Sequence, residues 1–238
     1  NILINDDEDM ILTTRMEHHA NDLPFRRVGK VVHVDVDELG RINIDDIEEE
    51  LIKANGKIKV VTVTGASNVT GYMTPIHDIA KLAHKYNAII IVDAAQLIAH
   101  KKINMMGTCE EESIDFLTFS AHKAYAPFGS GAIVGRKDYL NNCQPFLSGG
   151  GCVAGVFDES TIWTGVPEKF EAGTQNFFGV IAMAKALEDL QNIGFDNIES
   201  HEATLKNYLI GSMKNINNVI LYGDTNYTDD RLGVITFN

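Results

Sequence analysis

Alternation constrains this chain most. Short runs rich in Val and Ile recur between amphipathic stretches: MILTT (10–14), KVVHVDV (30–36), KIKVVTVTG (57–65), AIIIVD (88–93), DFLTFS (115–120) and GAIVG (131–135). Each has the length and β-branched content of a strand. Several are nearly continuous in apolar residues, the pattern of strands covered on both faces of a mainly parallel sheet. Between them, NIDDIEEELIKANG sets Ile44, Ile47, Leu51 and Ile52 at helical spacing, with Asn43 as N-cap and Gly56 as the stop. TPIHDIAKLAHKYN opens on Thr74-Pro75, a cap and first-turn pair. The expected fold is α/β, with a mainly parallel central sheet sandwiched by helices.

After about residue 172 the pattern changes. TQNFFGVIAMAKALEDLQNIG reads as a long apolar-faced helix stopped by Gly194. FDNIESHEATLKNYLIGSMKNI reads as a second helix, followed by strand-like VILYG and LGVITFN. The first residue is not Met, and the last strand pattern runs to residue 238, as expected of a piece of a longer protein. A net charge of −13 argues against a nucleic-acid partner. No run approaches the roughly 18 apolar residues of a membrane span. Cys109, Cys143 and Cys152 are odd in number and lack CxxC spacing, so reduced thiols in a cytoplasmic protein are expected. His77 and His84 stand two helical turns apart, too far for one ion; they read as solvated helix histidines, and no metal site is expected.

The chemistry gathers in IDFLTFSAHKAYAPFGSGAIVG (114–135). Lys123 follows a strand in a segment otherwise poor in charge, and a partly desolvated lysine is suited to forming a Schiff base. Ser120 and His122 can donate hydrogen bonds to an anionic group, and the GSG turn allows close backbone approach to phosphate. A phosphorylated aldehyde cofactor, pyridoxal 5'-phosphate, would use both sets of groups. Such a cofactor needs a carboxylate at its pyridine nitrogen. Asp93 closes the apolar AIIIVD run, where ligands gather in α/β sheets. Its structural alternative is an N-cap for the turn that follows. Gln96 can reach the same pocket.

VDAAQ, followed 30 residues later by the lysine of SAHK and a glycine-rich turn, resembles the class V aminotransferase family of fold-type I pyridoxal phosphate enzymes. The similarity is strongest to its cysteine desulfurase and selenocysteine lyase group. TTRMEHHAN, TGASNVTG, SGGG and KFEAGTQN add to it in the family's order, from about residue 13 to 176. The resemblance implies that Lys123 is the covalent anchor and proton shuttle. Asp93 pairs with the pyridine nitrogen, and His18 stacks on the ring and assists proton transfer. Asn68 and Gln96 lie by the phenolic oxygen, while Ser120 and His122 hold the phosphate. Thr174 reaches the phosphate of the neighbouring subunit's cofactor, which implies a homodimer. It further implies a pyridoxal phosphate-binding large domain over 1–176, then connecting helices and the start of a small domain over 177–238. The substrate would be an amino acid, L-cysteine going to L-alanine plus enzyme-bound sulfur, with room for a sulfur-acceptor protein.

Taken singly, these residues have plainer roles. His18 can cap a short helix, Asn68 can hold a turn, and Thr174 can cap the helix after it. The family also uses an upstream phosphate-binding turn, a downstream arginine for the substrate carboxylate and, in desulfurases, a downstream cysteine. None of these lies in this sequence, and its three cysteines read as structural or incidental. Another class V aminotransferase or lyase therefore stays open, as does a catalytically inactive fragment that keeps the fold.

Overall fold

The computed structural model describes residues 3, 4 and 8–238. Its centre is a six-stranded sheet made of β1 (Met10–Thr14), β2 (Lys30–Val34), β3 (Ile58–Thr64), β4 (Ile89–Asp93), β5 (Phe116–Ser120) and β6 (Gly131–Gly135), in the order β2-β1-β3-β4-β5-β6. The first five run parallel, and β6 returns antiparallel along β5. The apolar runs form strands because side chains alternate between two buried faces. Leu12, Val61, Val63, Ile90, Val92 and Leu117 point into one core, and Ile11, Val60 and Ile89 into the other.

Two helices cover the first face. α1 (Ile44–Ala54) buries Ile47, Leu51 and Ala54, and α2 (Ile76–Lys85) buries Ile76, Ile79, Ala80 and Ala83. Asn43 caps α1 as expected, its side chain accepting from the Asp45 amide at 3.2 Å. The stop comes one residue early, because Asn55 takes the left-handed conformation ahead of Gly56. Thr74 does not cap α2. Pro75 occupies the cap position, and the Thr74 hydroxyl is buried without a hydrogen-bond partner.

His77 and His84 also differ from expectation, since neither is a solvated helix histidine. Their Nδ1 atoms lie 2.8 Å from the carbonyls of Glu112 and Glu111, and His84 Nε2 lies 2.9 Å from Asp115. One face of α2 thus holds down the acidic 110–112 turn. Asp115 is buried and also accepts from the Ile90 amide at 2.9 Å, clasping the amino ends of β4 and β5.

Beyond the sheet come α3 (Lys137–Asn142) and a hairpin of β7 (Val153–Val156) and β8 (Thr161–Trp163). The long helices α4 (Phe177–Ile193) and α5 (Phe195–Met213) follow, separated by Gly194. Of the two carboxyl-terminal strand patterns, only β9 (Leu221–Tyr222) and β10 (Thr236–Phe237) pair. α4 buries Gly179 and Leu190, while Phe177, Phe178, Val180 and Ile181 on its apolar face are exposed. Among the described residues, no helix is long and apolar enough to cross a membrane.

Candidate active site

From β1 the chain moves outward to β2, whereas from β3 it moves the other way to β4. Such a reversal opens a crevice beyond the carboxyl ends of the strands, the usual ligand site of open α/β sheets. A cavity of about 970 Å³ lies there. Its floor is a row in strict register, Thr64 beside Asp93 and Asp93 beside Thr118. All three residues line it.

Lys123 lines the same cavity, on the short helical turn (Ala121–Ala124) that follows β5. It is half-buried, and its Nζ stands 3.5 Å from Gln96 Oε1. Among the described residues it makes no ion pair, so a cation faces this space without a fixed counter-charge. Asp93 lines the cavity and also holds the turn that follows β4. Its Oδ1 accepts from the Ala95 amide at 2.9 Å, which fixes the carboxylate and leaves Oδ2 without a hydrogen bond among the described residues.

Ser120 and His122 border the cavity beside Lys123. Gly131, paired with Ser120 across the β5–β6 turn, is required by close approach, because a Cβ there would sit 2.7 Å from the Phe119 carbonyl. Asn176 caps α4 through the Gly179 amide at 3.0 Å, and Ser130 donates to the Gly179 carbonyl at 2.8 Å. These bonds brace the glycine turn against that helix.

On the opposite wall, His18 and Asn68 also face the cavity. His18 Nδ1 accepts from the Ala20 amide at 3.1 Å, so it caps the turn as well as lining the site. That bond leaves Nε2 to carry the ring proton. Thr174 is exposed and outside this lining; the cap expected of it belongs to Asn176.

Sequence reasoning gave Glu17 no role. Thr14 Oγ1 donates to its Oε1 at 2.6 Å and Asn21 Nδ2 to its Oε2 at 2.7 Å. Asn21 is in turn bonded to Thr62 on β3 at 2.7 Å. Burial pushes the Glu17 carboxyl up to about 7; these hydrogen bonds oppose the shift and the charge of Asp93 adds to it. The available signal was a carboxylate three residues past a buried strand end, in a stretch otherwise read only for its histidines.

The cysteines stand away from this chemistry. Cys152 is buried and donates to the Gly149 carbonyl at 2.9 Å. Cys109 is exposed, and its hydrogen bond to Glu111, the largest effect, raises its thiol above the usual value.

A lysine and a carboxylate across one crevice, at the carboxyl ends of a parallel sheet, with hydroxyl and imidazole donors beside the lysine, define a site suited to a flat, phosphorylated aldehyde. The volume suffices; among the described residues Asp93 Oδ2 makes no hydrogen bond, and Lys123 Nζ makes no ion pair and only the long contact to Gln96. The sequence model of the Aminotransferase class-V family matches residues 3–238, and the chain belongs to that family.

The chain is similar to a probable cysteine desulfurase of Halalkalibacterium halodurans, 35% identical over 97% of this chain and 55% of that protein. It is 32% identical to a cysteine desulfurase of Haloferax volcanii, over 97% of this chain and 53% of that one. Among solved structures, it superposes on an apo cysteine desulfurase from Thermococcus onnurineus NA1 with a TM-score of 0.86. The identity is 30%, covering 99% of this chain and 58% of that chain. A cysteine desulfurase from Escherichia coli gives 0.85 at 27% identity, covering 97% and 56%. The chain spans about half the length of the curated relatives it matches.

Proposed function

We propose that this chain is the cofactor-binding part of a pyridoxal 5'-phosphate-dependent cysteine desulfurase, which takes L-cysteine to L-alanine and retains the sulfur. One observation carries the reading: Lys123 and Asp93, which make no ion pair among the described residues, line a single cavity at the switch point. When bound, the cofactor supplies an electron sink for bonds breaking at the substrate's α-carbon.

The chain's own residues do the rest. Lys123 Nζ would be the covalent anchor and would carry the proton at the α-carbon. Asp93 would hold the pyridine nitrogen protonated. His18 would cover the ring, and Asn68 and Gln96 would hold its phenolic oxygen. Ser120 and His122 would donate to the phosphate.

Thr174, outside this chain's own cavity, serves the site of a second copy. The homodimer this requires would cover the exposed apolar residues of α4 together with Phe128 and Phe146, which are 67% and 95% exposed. In this reading the boundary between a large domain (1–176) and the start of a smaller one falls just before α4. Three free cysteines suit a reducing cytoplasm, and a sulfur-acceptor protein would take the product.

The test uses the full-length protein incubated with pyridoxal phosphate and reduced with borohydride. Mass spectrometry should find the cofactor on the Lys123 peptide, with none on Lys123→Ala. Given L-cysteine, the unreduced enzyme should yield alanine and sulfide in the presence of a thiol. No cofactor on Lys123 rejects the reading. Cofactor on Lys123 with a keto acid as product replaces the desulfurase by a class V transaminase.

A further inference from the structure

We propose that Glu17 is a positioning residue for this site: its carboxyl ties the turn bearing His18 to β1 and β3, and its proton state sets the charge felt by Asp93. The inference rests on the reading of the cavity given above and adds to it a second carboxyl that does not touch the cofactor.

The geometry comes first. Glu17 lies in the turn leaving β1, at the switch point, and each of its oxygens has a donor. Thr14 is the last residue of β1, so one bond anchors the start of the loop. Asn21 closes the short helical turn that begins at His19, so the other anchors its end. Through Asn21 the chain of bonds reaches the buried Thr62 hydroxyl on β3. His18 stands between these anchors with its ring at the cavity edge. The carboxyl thus holds a histidine wall at fixed height above the Thr64–Asp93–Thr118 floor.

Charge comes second. Asp93 on β4 is the ionisable side chain acting on Glu17 from a neighbouring element. β1 presents the Thr14 hydroxyl, β3 the Thr64 backbone amide, and its own turn the Asn21 amide; His18 in that turn is already engaged with Ala20. Two neighbouring carboxylates repel, and a proton on one relieves that repulsion. Burial, against the opposing hydrogen bonds and with a smaller addition from Asp93, raises the Glu17 carboxyl to about 7, where cellular pH changes its occupancy. When Glu17 ionises, a second negative charge stands behind Asp93 and favours protonation of any cationic nitrogen in the cavity. When it is protonated, the hydrogen bonds survive, because Thr14 can accept where it donated.

The experiment compares the full-length, pyridoxal phosphate-loaded protein with Glu17→Gln and Glu17→Ala, following the visible absorption of the Lys123-bound cofactor against pH. The isosteric Gln variant should bind cofactor as wild type does but titrate lower by about half a pH unit or more, whereas Ala should bind it more weakly. A Gln titration that superimposes on wild type overturns the charge role, and Ala binding equal to wild type overturns the anchoring role.

A second measurement needs no change at position 17. Carbon NMR of labelled glutamate in the cofactor-free protein should show the Glu17 midpoint fall in Asp93→Asn, and an unmoved midpoint overturns the coupling. Wild-type protein that takes up no cofactor at Lys123 would reject the site reading itself, and is thereby distinguishable.

Discussion

Folding should make the Glu17 carboxyl visible in the pH dependence of stability. Its value rises from 4.5 to about 7 on folding, so the folded state holds a proton that the unfolded chain has already lost. Between those values the unfolded state binds fewer protons, and stability falls as pH rises. The loss is absent below the unfolded value and complete above the folded one. A rise from 4.5 to about 7 corresponds to about 3.5 kcal/mol at most, since each tenfold change in proton affinity is worth about 1.4 kcal/mol. Because the side chain is only half-buried, water screens part of this, and about 1–3 kcal/mol is expected.

Glu17→Gln removes the charge and keeps the shape. Its carbonyl accepts from Asn21 and its amide donates to Thr14, so little else changes. Urea midpoints of the cofactor-free protein, taken between about pH 4.5 and about pH 8, should give nearly equal stabilities at the acid end and a more stable Gln variant at the alkaline end. The gap should open through the interval around neutrality. A constant difference across that range, or a Gln variant less stable at alkaline pH, would refute a raised carboxyl and leave Glu17 an ordinary ionised hydrogen-bond acceptor.

Two other sites give separate tests. Asp115→Ala leaves the Ile90 amide and His84 without their acceptor in a buried position, and should lower stability by about 3 kcal/mol; a urea-midpoint change worth under about 1 kcal/mol would mean the clasp at the β4–β5 amino ends is dispensable. Phe178→Asp with Ile181→Asp sets charges on an apolar face whose residues are 79% and 67% exposed. In the proposed homodimer, light scattering of the full-length protein should report dimers for wild type and monomers for the variant, with circular dichroism unchanged, and a variant whose mass equals wild type would move the interface elsewhere.

The sheet was legible because its strands are local statements. KIKVVTVTG and AIIIVD carry no polar face, so burial on both sides was the available reading, and their register follows from where the apolar runs end. Asp93 and Lys123 were legible for the same reason: each is a charged residue just past the end of such a run. What could not be read lies between elements distant in sequence. His77 and His84 read as solvated because nothing local shows that the 110–112 turn folds onto α2. Thr74 looked like a cap, but its hydroxyl is buried where it finds no amide. Glu17 was passed over because its environment is assembled by Thr62, more than forty residues downstream, and by Asp93, further still.

Those misses share a cause with the successes. A parallel sheet brings strand ends together whatever their separation along the chain, so residues at the ends of apolar runs become neighbours by topology alone. Asp93 was found because its own run announced it, while Glu17 sits three residues beyond the end of MILTT and falls outside a rule that looks only at the last position. The switch point explains why that offset matters. Where β1 and β3 diverge, the chain leaving β1 passes along the crevice, and His18, Ala20 and Asn21 become a wall of the cavity rather than a connection. In a fold of this order, residues of the loops after the first and third strands therefore belong to the site as much as the strand ends do. The half-buried Glu17 carboxyl stands behind that wall, and its bonds to Thr14 and Asn21 tie the wall to the sheet.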